Sequence, residues 1–363
     1  MAKRVGVDKW LYCATLLLVV IGLAMVFSAS AVMAKADYST PYFFVARQAL
    51  WAAVGLVAMT LLMQVNYRTW NRPSVVFPLV GITIMLLLAA FLMRDSHNTH
   101  RWIRFGPLSF QPSEIAKPAM VVFLAWFLQD RMGSIDNWRQ TILPAALPSL
   151  IFIALILKEP DLGTAMVCAC VTALMLWLAG MNMKYLGYAA LVAAPVLYIM
   201  LFRVKWRRDR LLAFLNPDSD PLGKGYHILQ SLIAVGSGGV RGVGYMDGAA
   251  KLFYLPEPHT DYIFANIAQE LGLIGSLVVV GLFVFIGWRG MRAAILSQDM
   301  FARFLAFGIT ATILIQAFFN ISVVLALVPT KGITLPFVSY GGTSLFIMLA
   351  FVGVLLNITR EVE

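Results

Sequence analysis

The sequence predicts an all-α polytopic membrane protein of about ten transmembrane helices, with a long extracytoplasmic loop between spans seven and eight. Three observations carry this. Of 363 residues, 60% are hydrophobic and 13% charged, against roughly 45–50% apolar content in an average soluble domain. The apolar residues fall in runs of about 20, enough to cross a hydrocarbon core of roughly 30 Å as helix. Mean hydropathy is +0.81, which excludes a soluble fold, a barrel and a disordered chain. The net charge of +10 belongs to topology and anionic lipid, so no nucleic-acid partner is expected.

Length, flanking charge and turn residues set the spans at 10–31, 48–66, 74–93, 113–129, 142–158, 162–181, 185–203, 262–287, 303–328 and 335–358. The first follows the basic head MAKRVGVDK and has no small-residue cleavage pattern, so it reads as a retained span rather than a signal peptide. Arg68 and Arg72 separate spans two and three, Arg131 and Arg139 spans four and five, Lys184 spans six and seven, and Arg289, Arg292 and Arg303 spans eight and nine. The positive-inside rule assigns these connections and both termini to the cytoplasm. The connections holding Arg94 to Arg104, Lys158 and Lys331 then lie outside. Cys13, Cys168 and Cys170 sit in apolar stretches and offer no disulfide framework.

The segment 204–261 is too long and too patterned for a plain connector. It carries Trp206, the cluster Arg207, Arg208 and Arg210, the turn NPDSDP, and an apolar stretch YHILQSLIAVGSGGVRGVG that predicts an interfacial helix. Within it, GSGGVRGVG follows no strand and is a false positive as a nucleotide fingerprint.

Charged groups within spans are costly and each needs a partner or a task. Glu114 and Lys117 are spaced i, i+3 and predict a salt bridge, with a direct substrate role weighed equally. Glu270 falls about 12–14 Å below the surface and needs a partner or a proton. Gln316, Asn320, Ser339, Tyr340 and Thr343 lie at similar predicted depth. Such residues commonly glue helices together, but their gathering toward one side points to an outward-opening cavity. Trp102, Lys158, Glu159, Asp161, Lys331 and the string from Tyr254 to Asp261 surround its mouth. A cationic rim with aromatic faces suits a pyrophosphate and sugar head group, although Trp102 alone would read as an interfacial anchor. Asp261 has two readings, helix cap and general base. His97, His100, His227 and His259 lack metal-ligand spacing, so no metal site is expected.

The strings RWIRFGPLSFQPSEIAK, KEPDLGTA, GSGGVRGVG leading into KLFYLPEPHTDYIFA, and PTKGITLPFVSYGGTS resemble the SEDS family of bacterial cell-wall proteins over nearly the whole chain. They are more similar to its division-type FtsW branch than to its elongation-type RodA branch. The resemblance implies one integral membrane domain over 1–363, with 204–261 as its large loop, in the bacterial cytoplasmic membrane. It implies a peptidoglycan glycosyltransferase that polymerises lipid II, releases undecaprenyl pyrophosphate, and works with a class B penicillin-binding protein and other divisome proteins. Carried over by motif, Asp261 is the catalytic carboxylate, and Trp102, Glu114, Lys117, Lys158, Asp161, His259, Lys331, Ser339 and Tyr340 are substrate-binding candidates. Basic residues or a divalent cation, Mg or Mn, would stabilise the leaving pyrophosphate. The chain departs from the family pattern in having Gln269-Glu270-Leu271-Gly272 for EELG, and Asn266 at a usually smaller or apolar position.

Two rivals remain, a lipid II flippase and a noncatalytic divisome scaffold. A flippase would be expected to carry inverted repeats with broken helices, and the sequence holds no convincing repeat. A scaffold would not need Asp261.

Overall fold

In the computed structural model, residues 6–92, 101–105, 108–135, 137–249 and 255–361 are described. The readings placed on Lys3, Arg4, Arg94, His97, His100 and Tyr254 fall outside them, as do the side chains of Arg104 and Trp206.

Helices α1 (Lys9–Tyr38), α2 (Phe43–Leu62), α3 (Pro73–Ala90), α4 (Pro112–Leu128), α5 (Leu143–Lys158), α6 (Leu162–Leu178) and α7 (Met183–Phe202) occupy the first seven predicted spans. The long loop folds into α8 (Lys205–Leu215) and α9 (Tyr226–Ser237), the latter over the predicted interfacial stretch. Helices α10 (Ile263–Leu296), α11 (Met300–Val324) and α12 (Gly342–Thr359) complete the bundle. Among the described residues, seven helices are long and apolar enough to cross a membrane unaided, and α6 is a shorter apolar helix.

Local chemistry sets the helix ends. Asp8 caps α1 by accepting from the Trp10 and Leu11 amides at 3.1 Å each. Asp161 caps α6 and Asp299 caps α11, while proline opens α3 and α4, where a missing amide hydrogen does no harm. Burial is uneven: 83% of the apolar window of α12 and 72% of that of α11 lie inside the protein, against 22% for α2 and α3. Polar groups on α11 therefore meet protein rather than lipid.

On the face holding the chain ends, Arg289 Nε donates to Asp8 Oδ2 at 2.6 Å, joining α10 to the start of α1. The Tyr67 hydroxyl lies 2.6 Å from Glu361 and 3.1 Å from Asp299. The long connections gather on the opposite face.

The structure departs from the sequence reading in three places. An antiparallel strand pair, β1 (Ile103–Phe105) and β2 (Leu108–Phe110), precedes α4, with Ile103 opposite Phe110; the Gly-Pro dipeptide between two short runs was its sequence signal. The helix of the tenth predicted span, α12, begins at Gly342 rather than 335. Pro336, the positive φ of Phe337 and the Gly341-Gly342 pair keep 335–341 out of helix, so Ser339 and Tyr340 stand in a loop and not within a span. Finally, α10 is broken inside the predicted eighth span at Gly272, where φ is 66°.

Candidate functional site

Two non-helical segments, 255–262 and 330–341, meet above α11 and are tied by side chains that answer their backbone groups. The Asn320 amide donates to the carbonyls of Asp261 (2.9 Å) and Ile333 (2.6 Å). The Ser339 hydroxyl donates to the Thr260 carbonyl at 2.7 Å and accepts from the Leu335 amide at 2.8 Å. The Tyr340 amide donates to the His259 carbonyl at 2.9 Å. Gln48, reaching in from α2, donates to the Ser339 carbonyl at 3.0 Å and accepts from the Gly341 amide at 3.2 Å. Irregular backbone at this depth is tolerated only when so satisfied. His259 lies 4.6 Å from the Phe44 ring and 5.4 Å from that of Tyr340, and burial lowers its pKa. His259, Ser339 and Tyr340, expected at the substrate, thus brace the two segments against each other.

What the brace presents is Asp261. Its carboxylate borders a cavity of about 540 Å³, shared with Glu257, Lys331, and with Arg210, Lys224 and His227 from the long loop. A Cβ at Gly332 would come within 2.9 Å of Asp261 Oδ2, so a side chain there would displace the carboxylate from its present place. Burial, followed by the nearby Glu257 and Asp161 charges, pushes the Asp261 carboxyl up to about 7, with Arg101 and Arg210 opposing. Burial pushes Lys331 down to about 8, and its Nζ lies against Met166 Sδ. The cavity therefore offers a carboxylate poised to take a proton near neutrality and a set of cations suited to an anionic substrate.

Asp161 sits beside this cavity as a structural group. It accepts from the Thr164 amide (3.2 Å) and hydroxyl (2.8 Å), from Gln111 (3.1 Å) and from Ser113 (3.4 Å). Arg101 Nε donates to the Glu159 carbonyl at 2.8 Å, and its Nη2 to that of Pro160. The Glu159 carboxyl is buried with no hydrogen-bond partner among the described residues, and burial, aided by Asp161, pushes it up to about 8. Trp102 is half-buried next to Arg101 and Lys158 is exposed. Neither is among the described residues lining the cavity.

Glu114 and Lys117 form the predicted pair, 2.7 Å apart and buried within the bundle. Lys117 also donates to Gln316 Oε1 at 2.7 Å, and Gln316 Nε2 donates to the Thr334 carbonyl at 3.0 Å. Lys117, held by Glu114 and Gln316, thus supports the 330–341 segment from below. Sequence reasoning missed Arg210, Lys224 and His227 as cavity residues. The basic cluster of the long loop contains Arg210 but neither Lys224 nor His227, and nothing local says which of the loop's residues turn inward. Asn266, a departure from the family pattern, donates to the Pro258 carbonyl at 2.7 Å and steadies the segment that carries Asp261. Among the described residues, no group of three or more His, Cys, Asp or Glu side chains is placed to hold a metal ion.

Fold and site together define a multi-pass helical membrane protein with a charged cavity on one face. The chain belongs to the FtsW/RodA/SpoVE family, whose model, described as a cell cycle protein, matches residues 9–363. It is 40% identical over 345 residues to a probable peptidoglycan glycosyltransferase FtsW of Geobacter metallireducens, covering 94% of this chain and 92% of the relative. It is 41% identical over 363 residues to the stage V sporulation protein E of Bacillus subtilis, covering 99% and 98%. Among solved structures, it resembles the rod shape determining protein RodA of Thermus thermophilus at TM-score 0.72 and 25% identity, covering 98% of both chains. A chain from a structure on coordination of polymerization and crosslinking by a peptidoglycan synthase complex matches at TM-score 0.80 and 29% identity, again over 98% of both chains.

Proposed function

We propose that this protein is a peptidoglycan glycosyltransferase that polymerises lipid II into glycan strands for septal wall synthesis. It sits in the bacterial cytoplasmic membrane with both termini inside and the cavity at the outer face. The observation that carries the reading is Asp261, a carboxylate with its pKa raised toward neutrality, facing a cavity lined by Lys331, Arg210 and Lys224. Asp261 takes the proton from the 4-hydroxyl of the acceptor GlcNAc as that oxygen attacks the anomeric carbon of a donor MurNAc. The new C–O bond forms as the bond to the pyrophosphate breaks, with inversion, and undecaprenyl pyrophosphate leaves with its charge met by the cavity's cations. Trp102 and Lys158, outside the cavity lining, are assigned to the more distant parts of the head group.

A class B penicillin-binding protein supplies the transpeptidase, and other divisome proteins position the pair. The similarity to a sporulation protein at 41% identity favours sporulation as a second setting for the same chemistry. A Mg or Mn ion, where used, enters as the counter-ion of the substrate pyrophosphate, since the described residues offer no ready-made cluster to hold one.

The test is reconstitution of the purified protein in vesicles with labelled lipid II and a class B penicillin-binding protein. Glycan strands without net transfer of lipid II across the bilayer are expected. Transfer without strands would replace this reading with the flippase, and neither activity would leave the scaffold.

A further inference from the structure

The broken helix α10 raises a question that the proposed chemistry does not answer: what holds its outer half in place. Gly272 ends the regular helix, leaving the half-helix 263–271, which begins two residues after Asp261. The freed backbone groups are met by the segment that follows α9. The Val243 and Gly244 amides donate to the carbonyls of Gln269 and Glu270 at 3.0 and 3.1 Å. In return, the Leu273 and Ile274 amides donate to the carbonyls of Gly239 and Val240 at 2.9 and 3.2 Å. A Cβ at Gly242 would fall 2.1 Å from the Glu270 carbonyl oxygen, so only glycine permits the approach. The sequence GSGGVRGVG is a splint for a broken helix.

Glu270 stands at the centre of this joint, almost fully buried. Its carboxylate accepts from the Ser28 hydroxyl on α1 at 2.6 Å and from the Met246 amide at 3.0 Å. The Tyr245 hydroxyl donates to the Ala24 carbonyl at 2.9 Å, a second tie from the splint to α1. We propose that Glu270 is a positioning residue that latches the half-helix 263–271 to α1 and to the splint 239–246, and thereby holds Asp261 at its place in the cavity. A buried carboxylate in a span is expensive to keep, and this one joins three chain segments below the acid that the proposed reaction uses. The inference rests on the reading of Asp261 as the base.

The experiment compares wild type with Glu270→Ala, Glu270→Gln and Ser28→Ala in the full-length protein, measuring strand synthesis per folded molecule and hydrogen exchange of residues 239–246 and 255–274. Misplacing a catalytic group by about 1 Å costs roughly 100-fold. Glu270→Ala is accordingly expected to lower kcat by about 10- to 100-fold with little change in KM. Glu270→Gln, whose carbonyl accepts from Met246 and whose amide donates to the Ser28 oxygen, is expected to restore most of the loss. In Glu270→Ala, water reaching a loosened Asp261 moves the acid limb of the pH–rate profile to lower pH. Glu257, Asp161, Arg101, Asp209, Arg210, Lys224, His227, Tyr262 and Lys331, the charged or titratable groups around Asp261, are unchanged in every variant. A role in folding alone would scale the rate at every pH without moving the profile. Exchange at 239–246 and 255–274 should quicken at least about tenfold in Glu270→Ala while α11 and α12 keep their protection. Unchanged exchange with an unmoved profile would overturn the latch. If wild type makes no strands, the proposed activity fails and hydrogen exchange alone decides the latch. If Glu270→Ala does not accumulate folded, Ser28→Ala carries the same comparison at smaller amplitude.

Discussion

The protein carries two acid–lysine couples that look alike as motif residues and differ in surroundings. Glu114 and Lys117 sit one helical turn apart on α4, 2.7 Å from each other, with Gln316 accepting a second bond from the lysine. Asp261 and Lys331 come from segments 70 residues apart in sequence and border a shared cavity, with Lys331 turned toward Met166. The first couple is closed and the second is open. Closure makes the fold depend on both members, because removing one would leave the other as an uncompensated buried charge. Openness favours chemistry, because the acid and the cation each keep a face for an incoming group, and burial shifts both toward neutral pH.

The comparison can be broken at either couple. Asp261→Asn, which keeps size and most contacts, is expected to slow strand synthesis by about 10² to 10⁴-fold with the protein folded, read by gel analysis of labelled glycan at equal protein. Lys117→Met leaves Glu114 buried and unpaired, so it should cost about 3 kcal/mol or more of stability, seen as a fall in thermal midpoint in detergent. Adding Glu114→Gln should recover part of that loss, and strict additivity of the two changes would show that the couple does not act as a unit. Lys331→Met should weaken lipid II binding by about tenfold while sparing the fold, as expected for one charge-assisted contact, measured as a rise in KM. Lys158→Ala, at an exposed site outside the cavity, should change KM by no more than about threefold; a larger effect would extend the site beyond the cavity described above.

How much of this was readable beforehand follows from the range of the interactions. Helix length and hydropathy are local, so helices form at all ten predicted spans, although α10 runs on to Leu296 and α12 starts only at Gly342. The Glu114–Lys117 pair was legible for the same reason, since one helical turn fixes its geometry. The break at Gly272 was not, because its backbone groups are satisfied by residues 239–244, a stretch separated from it in sequence and marked only by glycines. Ser339 and Tyr340 looked like membrane-buried polar residues because the apolar run continues through Pro336. Their bracing role depends on Thr260 and His259, on the other side of two helices. Arg210, Lys224 and His227 reach the cavity through the fold of the long loop, which hydropathy cannot trace.

The most direct test of the open couple is the pH dependence of kcat/KM for strand synthesis, with Asp261→Asn beside wild type. Asp261 must be unprotonated to accept a proton, so activity should rise with pH through about 7, its shifted value. Lys331 must stay protonated to meet the pyrophosphate, so activity should fall again above about 8. The account predicts a narrow bell whose acid limb vanishes from the residual rate of Asp261→Asn. A wild-type rate that holds level between pH 5 and 7, or an acid limb that survives in Asp261→Asn, would contradict it.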